Sequence, residues 1–150
     1  VDEDCDGEDM TNPDDFEPND SCIMCTWLGE DVDVVKEGSF DNEDDDVDYF
    51  CFLGTDDSPP LLWPWYSEDI TVELTGQTVG MDADLHLYRG YTACESNSPI
   101  ASSVTIGPDD ESMSWEETND PDTDTYIIRV KNYEASDCWG GYTLTVKGLE

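Results

Sequence analysis

The sequence predicts an all-β chain, an antiparallel β-sandwich of jelly-roll type. Three observations predict it. Apolar and polar residues alternate in short runs between residues 49 and 146. Gly, Pro, Asn or Asp bound each run, as expected where the chain turns between strands. No segment carries the 3.6-residue apolar period of an amphipathic helix. About seven short strands with turn signals between them fit two packed sheets.

Tyr49–Leu53 (YFCFL) is a short apolar run. Ile70, Val72 and Leu74 alternate with Thr71, Glu73 and Thr75, and Leu85 and Leu87 flank His86. Val104 and Ile106 flank Thr105, and Met113 and Trp115 flank Ser114. Tyr126, Ile128 and Val130 form the next run, and Tyr142, Leu144 and Val146 the last. Period two places alternate side chains on opposite faces of a strand, so each run expects a strand with one buried face. Cys22–Gly29 reads as one helical turn or as an edge strand. An immunoglobulin domain is disfavoured, because its Cys…Trp…Cys order is not in the expected places.

The charge is extreme: 39 Asp+Glu against five Lys+Arg, a formal net charge of −34 in 150 residues. A compact fold with this charge repels itself, so high salt, bound cations or a basic partner must relieve it. The charge excludes nucleic acid and anionic membrane surfaces as partners, and no apolar run is long enough to span a bilayer. The 16 aromatic residues argue against wholesale disorder. Residues 1–15 read as an acidic leader or linker, 16–148 as the domain, and Leu149-Glu150 as a cloning scar. Beginning at Val1 without Met, the chain reads as a mature or excised piece.

Six cysteines (Cys5, Cys22, Cys25, Cys51, Cys94, Cys138) make an even count in a small chain and predict an oxidising, extracellular setting with disulfides. Cys94 and Cys138 both lie beside strand ends and are expected to pair. Cys5, Cys22, Cys25 and Cys51 then pair among themselves, Cys51 with Cys22 or Cys25. Zinc is disfavoured, because Cys22 and Cys25 are the one close pair and His86 the one histidine.

Between the first two strand runs lies GTDDSPPLLWPWYSED. Its prolines lower the entropy cost of ordering a loop, so Trp63, Trp65 and Tyr66 are expected to pack. The competing reading makes them an exposed aromatic platform for sugar or protein, as in a carbohydrate-binding module. Catalytic constellations are thin. His86 sits inside an alternating strand, no acid stands out as half of a glycosidase pair, and no Gly-rich phosphate loop is present. The sequence therefore predicts no enzyme.

Several segments carry a family resemblance in order. They are Phe16-Glu17-Pro18-Asn19-Asp20-Ser21, Asp45–Phe50, Asp82-Ala83-Asp84-Leu85-His86-Leu87-Tyr88, Glu111–Trp115, Thr125–Val130 and Gly141–Val146. Together they resemble the bacterial pre-peptidase C-terminal domain, a β-sandwich appended to secreted proteases and related to the collagen-binding domains of clostridial collagenases. The resemblance implies a non-catalytic accessory domain of an exported protein, with neighbouring domains and a protein or polysaccharide as partners. It also implies Ca²⁺, held by Glu17, Asn19 and Asp20 from the leader and Asp45 and Asp48 from the following loop. The residues agree, since clustered carboxylate and amide oxygens suit a hard cation that takes six to eight oxygen ligands. Asp2, Asp4 and Asp6 before Gly7 resemble the start of an EF-hand-type loop and form a weaker second site. Position twelve of that loop is Pro13 rather than Glu.

Overall fold

The computed structural model describes residue 16 and residues 18–40, 47–55, 68–117, 123–133 and 140–148. Nine strands occur among them: β1 Thr26–Glu30, β2 Asp33–Ser39, β3 Val47–Thr55, β4 Glu68–Thr75, β5 Ala83–Arg89, β6 Ala101–Ser103, β7 Glu111–Glu117, β8 Thr123–Asn132 and β9 Gly141–Lys147. A five-stranded sheet of order β1-β3-β8-β5-β6 packs on a four-stranded sheet of order β2-β9-β4-β7. The pairs are antiparallel except β1 with β3, which are parallel.

The Cys22–Gly29 segment contains both of the expected forms. Cys22–Met24 is one 3₁₀ turn, and Thr26 opens the edge strand β1. The chain then crosses to the other sheet at Asp31, whose φ of 43° is left-handed. Asp tolerates that region better than most residues, and here its carboxylate also binds the backbone N–H and the hydroxyl of Thr55. The strand β2 was not expected. Its exposed residues include Val35 as well as Asp33 and Glu37, so no clean alternation marks it.

The core between the sheets is built from the inward residues of the predicted runs, among them Phe50, Phe52, Ile70, Leu74, Leu85, Ile128, Leu144 and Val146, all fully buried. The Phe52 and Tyr126 rings stack at 5.4 Å. A smaller cluster of Cys22, Cys51, Tyr88, Cys94 and Ile127 lies on the outer face of the five-stranded sheet. Tyr126-Ile127-Ile128 is therefore apolar without a break because β8 is covered on both faces at that point.

Val104–Ile106 is not a strand. Val104 is 61% exposed and Ile106 91%, and the neighbouring strand β6 ends at Ser103. The reason lies in where the backbone N–H groups go. Glu111 accepts from the Thr105 N–H at 2.7 Å, and Asp82 accepts from the Gly107 N–H at 2.7 Å. Side-chain carboxylates thus satisfy donors that a strand would have spent on a ladder.

The Cys94–Cys138 expectation is also overturned: Cys94 is bonded to Cys22, with Cα atoms 6.1 Å apart. The one α-helix among the described residues, α1 Tyr91–Glu95, follows β5 and lays Cys94 against the 3₁₀ turn at Cys22, over Tyr88 and Ile127. Cys51 takes Cys25, at 5.7 Å between Cα atoms. Cys5 and Cys138 lie outside the described residues.

Candidate functional site

Three of the five expected calcium ligands are described. Asp48 and Asn19 are both fully buried. Asp48 is the second residue of β3, on its inner side, and the Tyr142 hydroxyl donates to it from β9. The Asn19 carbonyl accepts from the Tyr49 N–H at 2.9 Å, so the leader runs beside the start of β3. Asp20 is exposed and lines a cavity on the other side of that sheet. The structure thus brings the Asn19 backbone to Asp48's neighbour and directs Asp20 elsewhere. No group of three His, Cys, Asp or Glu side chains among the described residues forms a metal cluster. Glu17 and Asp45, the weaker set Asp2, Asp4 and Asp6, and the aromatics Trp63, Trp65 and Tyr66 all lie outside the described residues.

Two buried, oxygen-bearing side chains beside an acidic stretch are compatible with a hard cation. Burying a carboxylate is costly unless it is hydrogen-bonded or neutralised, and the Tyr142 hydroxyl donates to the Asp48 carboxylate. The end of the sandwich is tightly built around this contact. A Cβ on Gly38 would come within 2.4 Å of the Tyr142 hydroxyl and ring, so only glycine lets that ring lie across β2.

The outer face of the five-stranded sheet carries a second constellation. Tyr49, Arg129 and His86 stand in one cross-strand row on β3, β8 and β5. The Arg129 guanidinium lies 5.6 Å from the Tyr88 ring centroid, and the Tyr88 hydroxyl donates to Asn97 Oδ1 at 2.8 Å. Burial, and then the Arg129 charge, lower the His86 pKa to about 4. Burial, with Asp82 and Glu111 nearby, raises Asp84 to about 6, against the pull of Arg129. His86 Nδ1 has no hydrogen-bond partner among the described residues, so no carboxylate there orients it as a triad requires.

Beside this row is a cavity of about 360 Å³, lined by Ser21, Ile23, Tyr49, Glu95, Asn97 and Arg129 together with Asp20 and the Cys22–Cys94 disulfide. Sequence reasoning missed it. An arginine in an alternating strand reads as solvated, and Glu95 and Asn97 join only because α1 folds back over the sheet. The one available signal was scarcity: Arg129 is one of five basic residues.

No protein family's sequence profile matches the chain, and no curated protein matches it. Solved structures do. The pre-peptidase C-terminal domain of collagenase from Bacillus anthracis superposes with a TM-score of 0.57 at 16% identity, over 87% of this chain and 98% of that one. The Yersinia pseudotuberculosis-derived mitogen matches with a TM-score of 0.41 at 11% identity, over 77% of this chain and 86% of that one. By this first superposition the chain shares the β-sandwich fold of the collagenase's pre-peptidase C-terminal domain.

Proposed function

We propose that the chain is a non-catalytic accessory domain of an exported protein, stabilised by Ca²⁺ through Glu17, Asn19, Asp45 and Asp48, with Asp20, which lines the opposite face of the sheet, outside the set. The observation that carries this reading is the burial of Asn19 and Asp48 where the leader meets β3. A net charge of −34 makes a divalent ion at that junction favourable, because it turns repulsion between two acidic segments into attraction. The likeness in fold to the collagenase domain supports an accessory role. Two disulfides support an oxidising, extracellular compartment. The partners are the neighbouring domains of the parent protein. Asp48 and Asn19 hold the ion from the sheet side, and Tyr142 fixes the Asp48 carboxylate.

Thermal unfolding with EDTA, with calcium, and with NaCl at matched ionic strength tests this. An ion that binds only the folded state contributes about 2.7 kcal/mol at one hundred times its dissociation constant. For a domain of this length that is about 5–10 °C in melting temperature. Asp48→Asn removes most of the calcium response, whereas Glu73→Gln, on an exposed strand position, leaves it intact. Full recovery of the EDTA-treated protein by NaCl alone would reduce the acids to a screened surface.

A further inference from the structure

We propose that the outer-face cavity beside Arg129 binds a small zwitterion, an α-amino acid or dipeptide with an apolar side chain. In a chain with 39 acids and five bases, an arginine that forms no direct ion pair is unexpected, even though the Arg129 charge reaches Asp84 on the same face. Arg89 follows expectation and pairs with Asp124. Arg129 makes no ion pair among the described residues. It is instead stacked on Tyr88 and flanked across the sheet by Tyr49 and His86, and its Nε is buried without a hydrogen-bond partner among the described residues. The guanidinium is held in place by rings, which leaves its charge and planar fork for a carboxylate brought from outside.

The rest of the cavity supplies complementary chemistry. Ser21 Oγ is a second buried polar atom without a partner among the described residues. The wall formed by the 3₁₀ turn and α1 is tied by Cys22–Cys94, so the cavity is preformed. Glu95, exposed on α1, offers a carboxylate to an ammonium group, and Ile23, 73% exposed, offers an apolar contact at the rim. A volume of about 360 Å³ is at the small end of ligand pockets and suits one or two residues. The field of the whole protein selects further: a net charge of −34 repels anions at long range, while a zwitterion carries no net charge. Asp20 and Glu95 both line the cavity, and Glu95, carried by the helix that the disulfide ties down, is the carboxylate to test. The site lies on the opposite face of β3 from Asp48 and stands independently of the calcium reading.

The test is an NMR and calorimetric titration of the whole chain with L-leucine, N-acetyl-leucine and leucinamide at fixed ionic strength, run with calcium and again with EDTA. Leucine is expected to bind and to shift the amides of residues 21, 95, 97 and 129. The acetylated and amidated forms, each lacking one charge, should bind at least about tenfold more weakly, a loss of about 1.4 kcal/mol. Arg129→Met should abolish leucine binding. Arg129→Lys keeps the charge without the fork and should weaken binding severalfold in a folded protein. Glu95→Gln should erase the preference for leucine over N-acetyl-leucine. Unchanged spectra with leucine at tens of millimolar, or leucinamide binding as well as leucine, would overturn the proposal. Loss of binding in EDTA alone would tie the cavity to the ion and overturn its independence.

Discussion

The Tyr142 hydroxyl on β9 donates to the Asp48 carboxylate on β3, so one buried hydrogen bond joins the two sheets across 94 residues of sequence. Both side chains are essentially inaccessible to water. A charge-assisted bond in that setting matters mainly through what its loss leaves behind. Tyr142→Phe keeps the ring, which packs on Phe40 at 5.3 Å, and removes this donor to a buried acid. The expected cost is about 1–3 kcal/mol, read as a lower urea midpoint at unchanged slope. Gly38→Ala should destabilise by a different route, because its Cβ collides with the same ring. A Tyr142→Phe protein as stable as the parent would show that the bond contributes nothing.

The disulfides give a prediction that needs no folding measurement. Peptide mapping of the unreduced protein should find Cys22 linked to Cys94 and Cys25 linked to Cys51, with Cys94 absent from any peptide joined to Cys138. Cys22–Cys94 spans a sequence separation of 72, and closing a loop of that length stabilises by about 4 kcal/mol in the chain-entropy model. Replacing both cysteines by serine should therefore lower the melting temperature by more than the loss of Cys25–Cys51, whose separation is 26. It should also loosen α1 from the 3₁₀ turn and weaken any ligand held between them.

The fold was legible where one face of a strand is buried and the other is wet. β4, β7 and β9 show this, with Ile70, Val72, Leu74, Met113, Leu144 and Val146 inside. Legibility failed where that asymmetry is absent. In β2 a valine faces outward, and at Val104–Ile106 an alternating triplet is exposed while carboxylates take the backbone donors of Thr105 and of the following Gly107. The disulfide partner of Cys94 was not legible because a helix of five residues decides which loop it meets. At the candidate sites the sequence singled out Asn19, Asp20 and Asp48, but not the inward face of Asp48 or the outward place of Asp20. Those depend on which side of β3 each residue falls, a register that spacing alone does not fix.

A surface pair offers a contrast with the buried bond. Arg89 Nε donates to Asp124 Oδ2 at 2.5 Å, and its guanidinium lies 5.8 Å from the Trp115 ring centroid. Both charged side chains are about one-third exposed. Exposed ion pairs contribute about 0–1 kcal/mol, so Asp124→Asn should shift the urea midpoint slightly. Arg89→Ala should cost more than Asp124→Asn, because it also removes the stem and the ring contact. Equal effects from the two variants would assign the whole interaction to charge.

Asp84 and His86 make opposite contributions to stability against pH, and both lie within the field of Arg129. Asp84 is raised from 3.8 to about 6, first by burial and then by Asp82 and Glu111. Between those values the folded carboxyl keeps a proton that the unfolded one has released, so its contribution falls as pH rises through the window and stays low above it. His86 is lowered from 6.5 to about 4 by burial and then by Arg129. Between those values the unfolded imidazole takes up a proton that the folded one refuses, so its contribution is lost as pH falls from about 6.5 to about 4. From pH 4 to pH 6 the two slopes oppose. Asp84→Asn should raise the melting temperature relative to the parent above pH 6, with the gain shrinking toward pH 4. His86→Gln should produce a gain that appears below about pH 6.5 and grows toward pH 4. Both groups are partly exposed, and solvent screening keeps either shift small, so the readout is the difference between variant and parent at each pH. Carbon-13 titration of the Asp84 carboxyl and the His86 ring supplies the pKa values directly. An Asp84 midpoint near 4, with a flat difference curve, would show that neither burial nor the neighbouring acids perturb this face.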